Sequence, residues 1–133
     1  MKTKRKPTLA LIAGLSIGIA AGFAGARVLQ ENPKAGPGYV IAEVEVTDPA
    51  GIQEYASKVP ATLAPFNHHY VIRGGKVESL EGEPPKGVMV MIAFDSVEKA
   101  HEWYDSPAYA AIRPIRQNAS KSRLFIVEGF SPK

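Results

Sequence analysis

Tyr39-Val40-Ile41-Ala42-Glu43-Val44-Glu45-Val46, running directly into Thr47-Asp48-Pro49, is the stretch that decides the fold. Val40, Ala42, Val44 and Val46 fall on one side of an extended chain; Ile41, Glu43 and Glu45 fall on the other. That alternation is the signature of a half-buried strand. Asp48 before Pro49 is a helix start, with an acceptor side chain at the N-cap and a proline where no backbone donor is needed. Ile52, Tyr55, Ala56, Val59 and Leu63 then recur at helical spacing. Pro60 is expected to kink or shorten this helix, and Pro65-Phe66-Asn67 to end it.

The remainder of the chain repeats the unit. His68 to Arg73 reads as a second strand, and Gly74-Gly75 permits a turn or bulge. Lys76 to Leu80 is expected to continue as strand, and Glu81 to Gly87, with Pro84-Pro85, to form a loop. Val88 to Phe94 is a near-continuous apolar run, the mark of a central strand. Asp95 or Ser96 caps a second helix through Ala100, Trp103 and Tyr104. Ser106-Pro107 interrupts it and restarts a turn through Tyr109 and Ile112. Pro114 is expected to break it again, and Leu124 to Glu128 to be the last strand.

The order is β-α-β-β-α-β. Its simplest packing is an α+β, ferredoxin-like sandwich, a four-stranded antiparallel sheet with two helices on one face. The other face then carries Ile41, Val71 and apolar members of the third strand, mixed with Glu43, His69 and Arg73. An apolar face on so small a domain calls for a partner, and a homodimer formed sheet on sheet is expected.

Composition narrows the classes. The chain has 133 residues, room for one domain, with no cysteine and three histidines. A disulfide framework, a thiolate metal site and a cysteine nucleophile are excluded, and no metal site is expected. Of 16 basic residues, Lys2, Lys4, Arg5 and Lys6 lie in the first six, leaving 12 against 13 acidic ones, a net of −1. No basic stripe for nucleic acid remains.

Those lysines and Arg5 open a leader. Leu9 to Ala24 carries no charge, and Ala24-Gly25-Ala26 offers small residues for signal-peptidase cleavage before Arg27. Export to the periplasm or cell envelope is expected, with residues 1–26 as signal peptide. The alternative is an uncleaved anchor in the inner membrane over residues 9–26. Ala10, Gly14, Gly18, Gly22 and Ala26 fall four apart, a stripe that suits close helix packing in lipid. Arg5-Lys6 is not a twin-arginine pair. Membrane contact is expected only through this leader. Residues 27–38 read as a linker, 39–130 as the domain and 131–133 as a tail.

Several pieces of the domain stand together in a familiar order: Tyr70-Val71-Ile72-Arg73-Gly74-Gly75, Leu80-Glu81-Gly82, Trp103-Tyr104-Asp105-Ser106-Pro107-Ala108-Tyr109, Arg116, and Val127-Glu128-Gly129. Together they resemble the family known as domain of unknown function 1330, of the dimeric α/β-barrel superfamily, over roughly Gly38 to Phe130. The resemblance implies a ferredoxin-like protomer and a dimer whose two sheets enclose a barrel-like cavity. It implies no reaction and no cofactor. Superfamily relatives include cofactor-independent monooxygenases, haem-degrading enzymes and lactone isomerases, and a shared fold carries none of these over. Asn67-His68-His69 departs from the two glycines and arginine common in the family.

Six residues are candidates for a ligand site. Arg73 has the planar fork for a carboxylate or phosphate, or pairs with Glu43, Glu45 or Glu128. His69 shares strand parity with Arg73, so both are expected to face the cavity, where the imidazole is a candidate base. His68 and His69 point to opposite faces and do not chelate one metal together. Glu43 and Glu128 are either acids in the cavity or ion-pair partners. Tyr109 is a candidate pocket hydroxyl beside packing aromatics. Arg116 serves a helix end or an anion. Three functions follow: a binding protein for a small, partly apolar or anionic ligand held between the sheets, an enzyme using His69 or Glu43 as base, or a dimerisation module without ligand.

Overall fold

A computed structural model describes residues 35–132. The leader, with the cleavage and anchor expectations placed on it, lies outside them. Strand β1 (Gly38–Val46) is followed by α1 (Pro49–Leu63), β2 (His68–Arg73), β3 (Val88–Phe94), α2 (Val97–Tyr104), α3 (Pro107–Ala119) and β4 (Ser120–Glu128). The sheet order is β2-β3-β1-β4 with every neighbouring pair antiparallel, the ferredoxin-like arrangement. Among the described residues no helix is long and apolar enough to cross a membrane.

The alternation in β1 is realised as written. Val40, Ala42 and Val44 are buried toward the helices, together with Ile92 and Phe94 of β3. Leu63 of α1, Trp103 of α2 and Tyr109 of α3 complete this core. Phe94 stacks on Trp103 at 5.6 Å, and Trp103 lies 4.2 Å from the Tyr109 ring. The Trp103 Nε1–H donates to Thr62 Oγ1 at 3.0 Å, and that hydroxyl donates to the Val59 carbonyl, so a buried polar pair is satisfied. Ser96 and Ser106 cap α2 and α3 by accepting from Lys99 N–H and Tyr109 N–H.

α1 runs to Leu63 with Pro60 inside it, ending just before Pro65 as expected. Several other expectations change. α3 continues through Pro114 to Ala119, so that proline does not break its helix. The second helical segment is thus two true helices and the layer has three. β4 begins at Ser120, four residues earlier than expected, because its pairing with β1 extends to Val46. Lys76 to Leu80 is not strand. Gly74 and Gly75 both take positive φ, turning the chain off the sheet edge, and Leu80 is left exposed in the loop. The chain returns at Gly87, also at positive φ, where a Cβ would lie 2.1 Å from the Val44 carbonyl oxygen.

The change that matters most for function is a bulge in β2. Tyr70 pairs with Ile92, but Ile72 pairs with Met91 and Arg73 with Val90, so Val71 is an extra residue. Beyond the bulge, parity is reversed. Arg73 joins the helix-facing row of Val90, Ala42 and Leu124 instead of sharing the face of His69.

A candidate anion cleft between helices and sheet

A cavity of about 120 Å³ lies between the sheet and the helices. Val40, Ala42, Val44, Val90 and Ile92 form its floor, and Tyr55, Ala56 and Val59 of α1 cover it. Arg73, Tyr70 and Arg116 bring its polar groups. Arg116 reaches it because Tyr109, Ile112, Arg116 and Ala119 form one buried stripe on α3. It is only 4 % exposed. Its Nη1 donates to Ser122 Oγ, and its Nε–H has no acceptor among the described residues. The described ion pairs are Glu54–Lys58, Glu78–Lys76, Glu102–Lys99 and Glu43–Arg123, so no carboxylate there neutralises Arg116. A buried cation without a counter-ion is costly to the fold, which makes it a strong mark of a ligand's charge.

Tyr55 and Tyr109 stand beside this cation with their hydroxyl oxygens 2.9 Å apart. The Tyr55 hydroxyl is pushed far above the ordinary phenol range, first by burial and then by Tyr109, with Arg116 partly opposing. It therefore remains a neutral O–H. Arg73 sits at the exposed side of the cleft, its guanidinium 4.9 Å from the Tyr70 ring centre. Arg113 stacks 4.1 Å over Tyr104 and donates to the Tyr104 carbonyl, which fixes the α2–α3 corner.

The six candidates divide. Arg73 and Arg116 line the helix-side cleft, and Tyr109 lies behind it, hydrogen-bonded to Tyr55. Glu43 and His69 lie on the opposite face, so the expected His69–Arg73 pairing on one face does not form. Glu43 is bound by Arg123, with Nη2 at 2.7 Å, which is the ion-pair alternative for that residue; Arg73 takes no partner among Glu43, Glu45 and Glu128. Glu128 pairs with Gly38 at the far end of β4, six residues from Ser122 or about 20 Å along the strand, and is exposed. The His68 Nδ1–H donates to the Phe66 carbonyl at 2.8 Å. Among the described residues no group of three metal-ligating side chains occurs. A larger open groove of about 590 Å³ runs past Glu43, Glu45 and Arg123, but its central charges already pair with each other.

Tyr55, which lines the cleft, and Ser122, which accepts from Arg116, were not singled out by the sequence. Tyr55 stood in the α1 stripe as ordinary packing, and Ser122 lay before the expected start of β4. The available signal was an arginine at stripe spacing after Tyr109 and Ile112. Reading Pro114 as a helix break hid it.

The strand order and the helices packed on one face of the sheet define a ferredoxin-like domain. The chain belongs to the family described as domain of unknown function (DUF1330), whose profile matches residues 37–130. Solved structures share the fold at low identity. The RPA0582 protein of Rhodopseudomonas palustris, of unknown function, is 19% identical with a TM-score of 0.56, covering 76% of this chain and 88% of its own. SnoaB, a cofactor-independent oxygenase from Streptomyces nogalater, is 12% identical with a TM-score of 0.50, covering 74% and 97%. A dimeric ferredoxin-like protein of unknown function from Thermobifida fusca is 14% identical with a TM-score of 0.50, covering 71% and 92%. No curated protein matches the chain.

Proposed function

We propose that the domain binds a small anion with an apolar body in the cleft between the helices and the sheet. The observation that carries this reading is Arg116, buried, without a carboxylate among the described residues, at an otherwise apolar cavity. An anionic group would neutralise the guanidinium, and the valine and isoleucine floor would take the apolar part. Titration calorimetry with benzoate and with benzyl alcohol tests it. Saturable binding of benzoate, one per chain, with much weaker binding of the alcohol supports the reading. Equal binding of the two, or none, removes it.

Base catalysis by Glu43 or His69 has less support, since neither lines the cleft and Glu43 is held by Arg123. Homodimerisation through the open face is part of the proposal. Phe125, Val127 and Val71 are exposed there, beside Ile41 and Met91, and the similar Thermobifida fusca protein is described as dimeric. Export is proposed from the basic, then uncharged leader ending in Ala24-Gly25-Ala26. Arg27 as the first residue of the envelope protein supports cleavage; an intact Met1 in the membrane fraction supports the anchor.

A further inference from the structure

The hydrogens of the tyrosine pair specify what the anion must be. Tyr109 is wholly buried, and its O–H requires an acceptor. Among the described residues the Tyr55 oxygen, 2.9 Å away, is the one in reach. If Tyr55 donated instead, the Tyr109 hydrogen would be buried without a partner, at the full cost of its desolvation. Tyr109 therefore donates and Tyr55 accepts. The Tyr55 hydrogen is then free. Tyr55 lines the cavity, as does Arg116. The Tyr55 hydroxyl and the Arg116 side chain thus border one apolar space, with no carboxylate among the described residues paired to the guanidinium.

Resting on the cleft reading above, we propose that Tyr55 O–H and the Arg116 guanidinium together receive one oxyanion, the carboxylate of a small deprotonated carboxylic acid, and that Tyr109 is a positioning residue that aims the Tyr55 donor. A carboxylate has two oxygens and accepts from both donors without offering a hydrogen of its own. An amide or alcohol of the same shape brings a hydrogen that has nowhere to go. The cavity, about 120 Å³, limits the acid to a small ring or a short chain. The site discriminates by acceptor count as well as by charge.

The test is calorimetric titration of the full chain with benzoate, hexanoate and benzamide, in the wild type, Tyr55→Phe, Tyr109→Phe, the double variant and Arg116→Gln. Tyr55→Phe should weaken the carboxylates roughly tenfold to a hundredfold, as expected for one hydrogen bond to a charged group. Tyr109→Phe should weaken them less, and the double variant no more than Tyr55→Phe alone, because Tyr109 acts through Tyr55. A merely structural tyrosine pair gives no such non-additivity. Benzamide should bind weakly to every protein. If benzoate and hexanoate bind the wild type and Arg116→Gln abolishes this while Tyr55→Phe does not change it, the cleft reading stands and the two-donor receptor is overturned. If the double variant loses the sum of the two single losses, Tyr109 has no positioning role. If neither carboxylate binds the wild type, the cleft reading falls and this inference falls with it.

Discussion

The two faces of one sheet treat charge in opposite ways. On the open face Glu43 and Arg123 meet each other at 2.7 Å, with Arg123 largely in solvent and apolar Phe125 and Val127 left uncovered. On the helix face the apolar side chains are packed away, yet Arg116 is buried with no carboxylate among the described residues to neutralise it. The first face pairs Glu43 with Arg123 and leaves its hydrophobes uncovered, which fits a surface awaiting a second copy. The second packs its hydrophobes against the helices and buries Arg116 without a carboxylate partner among the described residues, which fits a site awaiting an anion.

The largest expected effect is on the helix face, where the aromatic core is buried. Trp103→Ala removes a ring stacked on Phe94 and the Thr62 hydrogen bond. It should cost about 3–5 kcal/mol in chemical denaturation. A loss under about 1 kcal/mol would mean the helix layer is not held to the sheet as described.

The open face should respond in assembly and not in fold. Phe125→Glu places a charge where the exposed ring would meet a second sheet. Sedimentation should show dimer dissociation at least about 30-fold easier, with the melting of the monomer little changed. An unaltered dimer would move the interface elsewhere.

The smallest effect separates exposed from buried charge. Glu43→Gln breaks the bond to Arg123, whose side chain is 70% exposed. Its stability cost should stay below about 1 kcal/mol, because water solvates the released guanidinium. A cost of several kcal/mol would make Glu43 part of a buried network and erase the contrast between the faces.

Much of this was legible in the residues. The alternation of β1, the apolar run of β3, the Asp48-Pro49 start and the Ser106-Pro107 restart record local physics, and each element stands where its pattern puts it. What failed was long-range. Pro114, read as a helix break, is carried inside α3 by tertiary packing, and Lys76 to Leu80 has strand-like residues but no neighbour to pair with. The site was only half legible for the same reason. Period-two counting put Arg73 beside His69, and the extra residue at Val71, visible only in the register against β3, puts it on the other face. Glu43, His69 and Arg73 were sought in one cavity, whereas Arg73 and Arg116 are the candidates that line the helix-side cleft, with Tyr109 behind it.

The most direct measurement is the melting temperature of Arg116→Met against the wild type, each with and without benzoate. Methionine keeps an unbranched chain in the stripe but removes a charge that no carboxylate among the described residues balances. The account predicts that the ligand-free variant melts higher than the wild type, by the equivalent of about 1–4 kcal/mol. It also predicts that benzoate raises the melting temperature of the wild type and leaves the variant unmoved. A variant that melts lower and is still stabilised by benzoate would show that Arg116 holds the fold together and that the anion binds elsewhere.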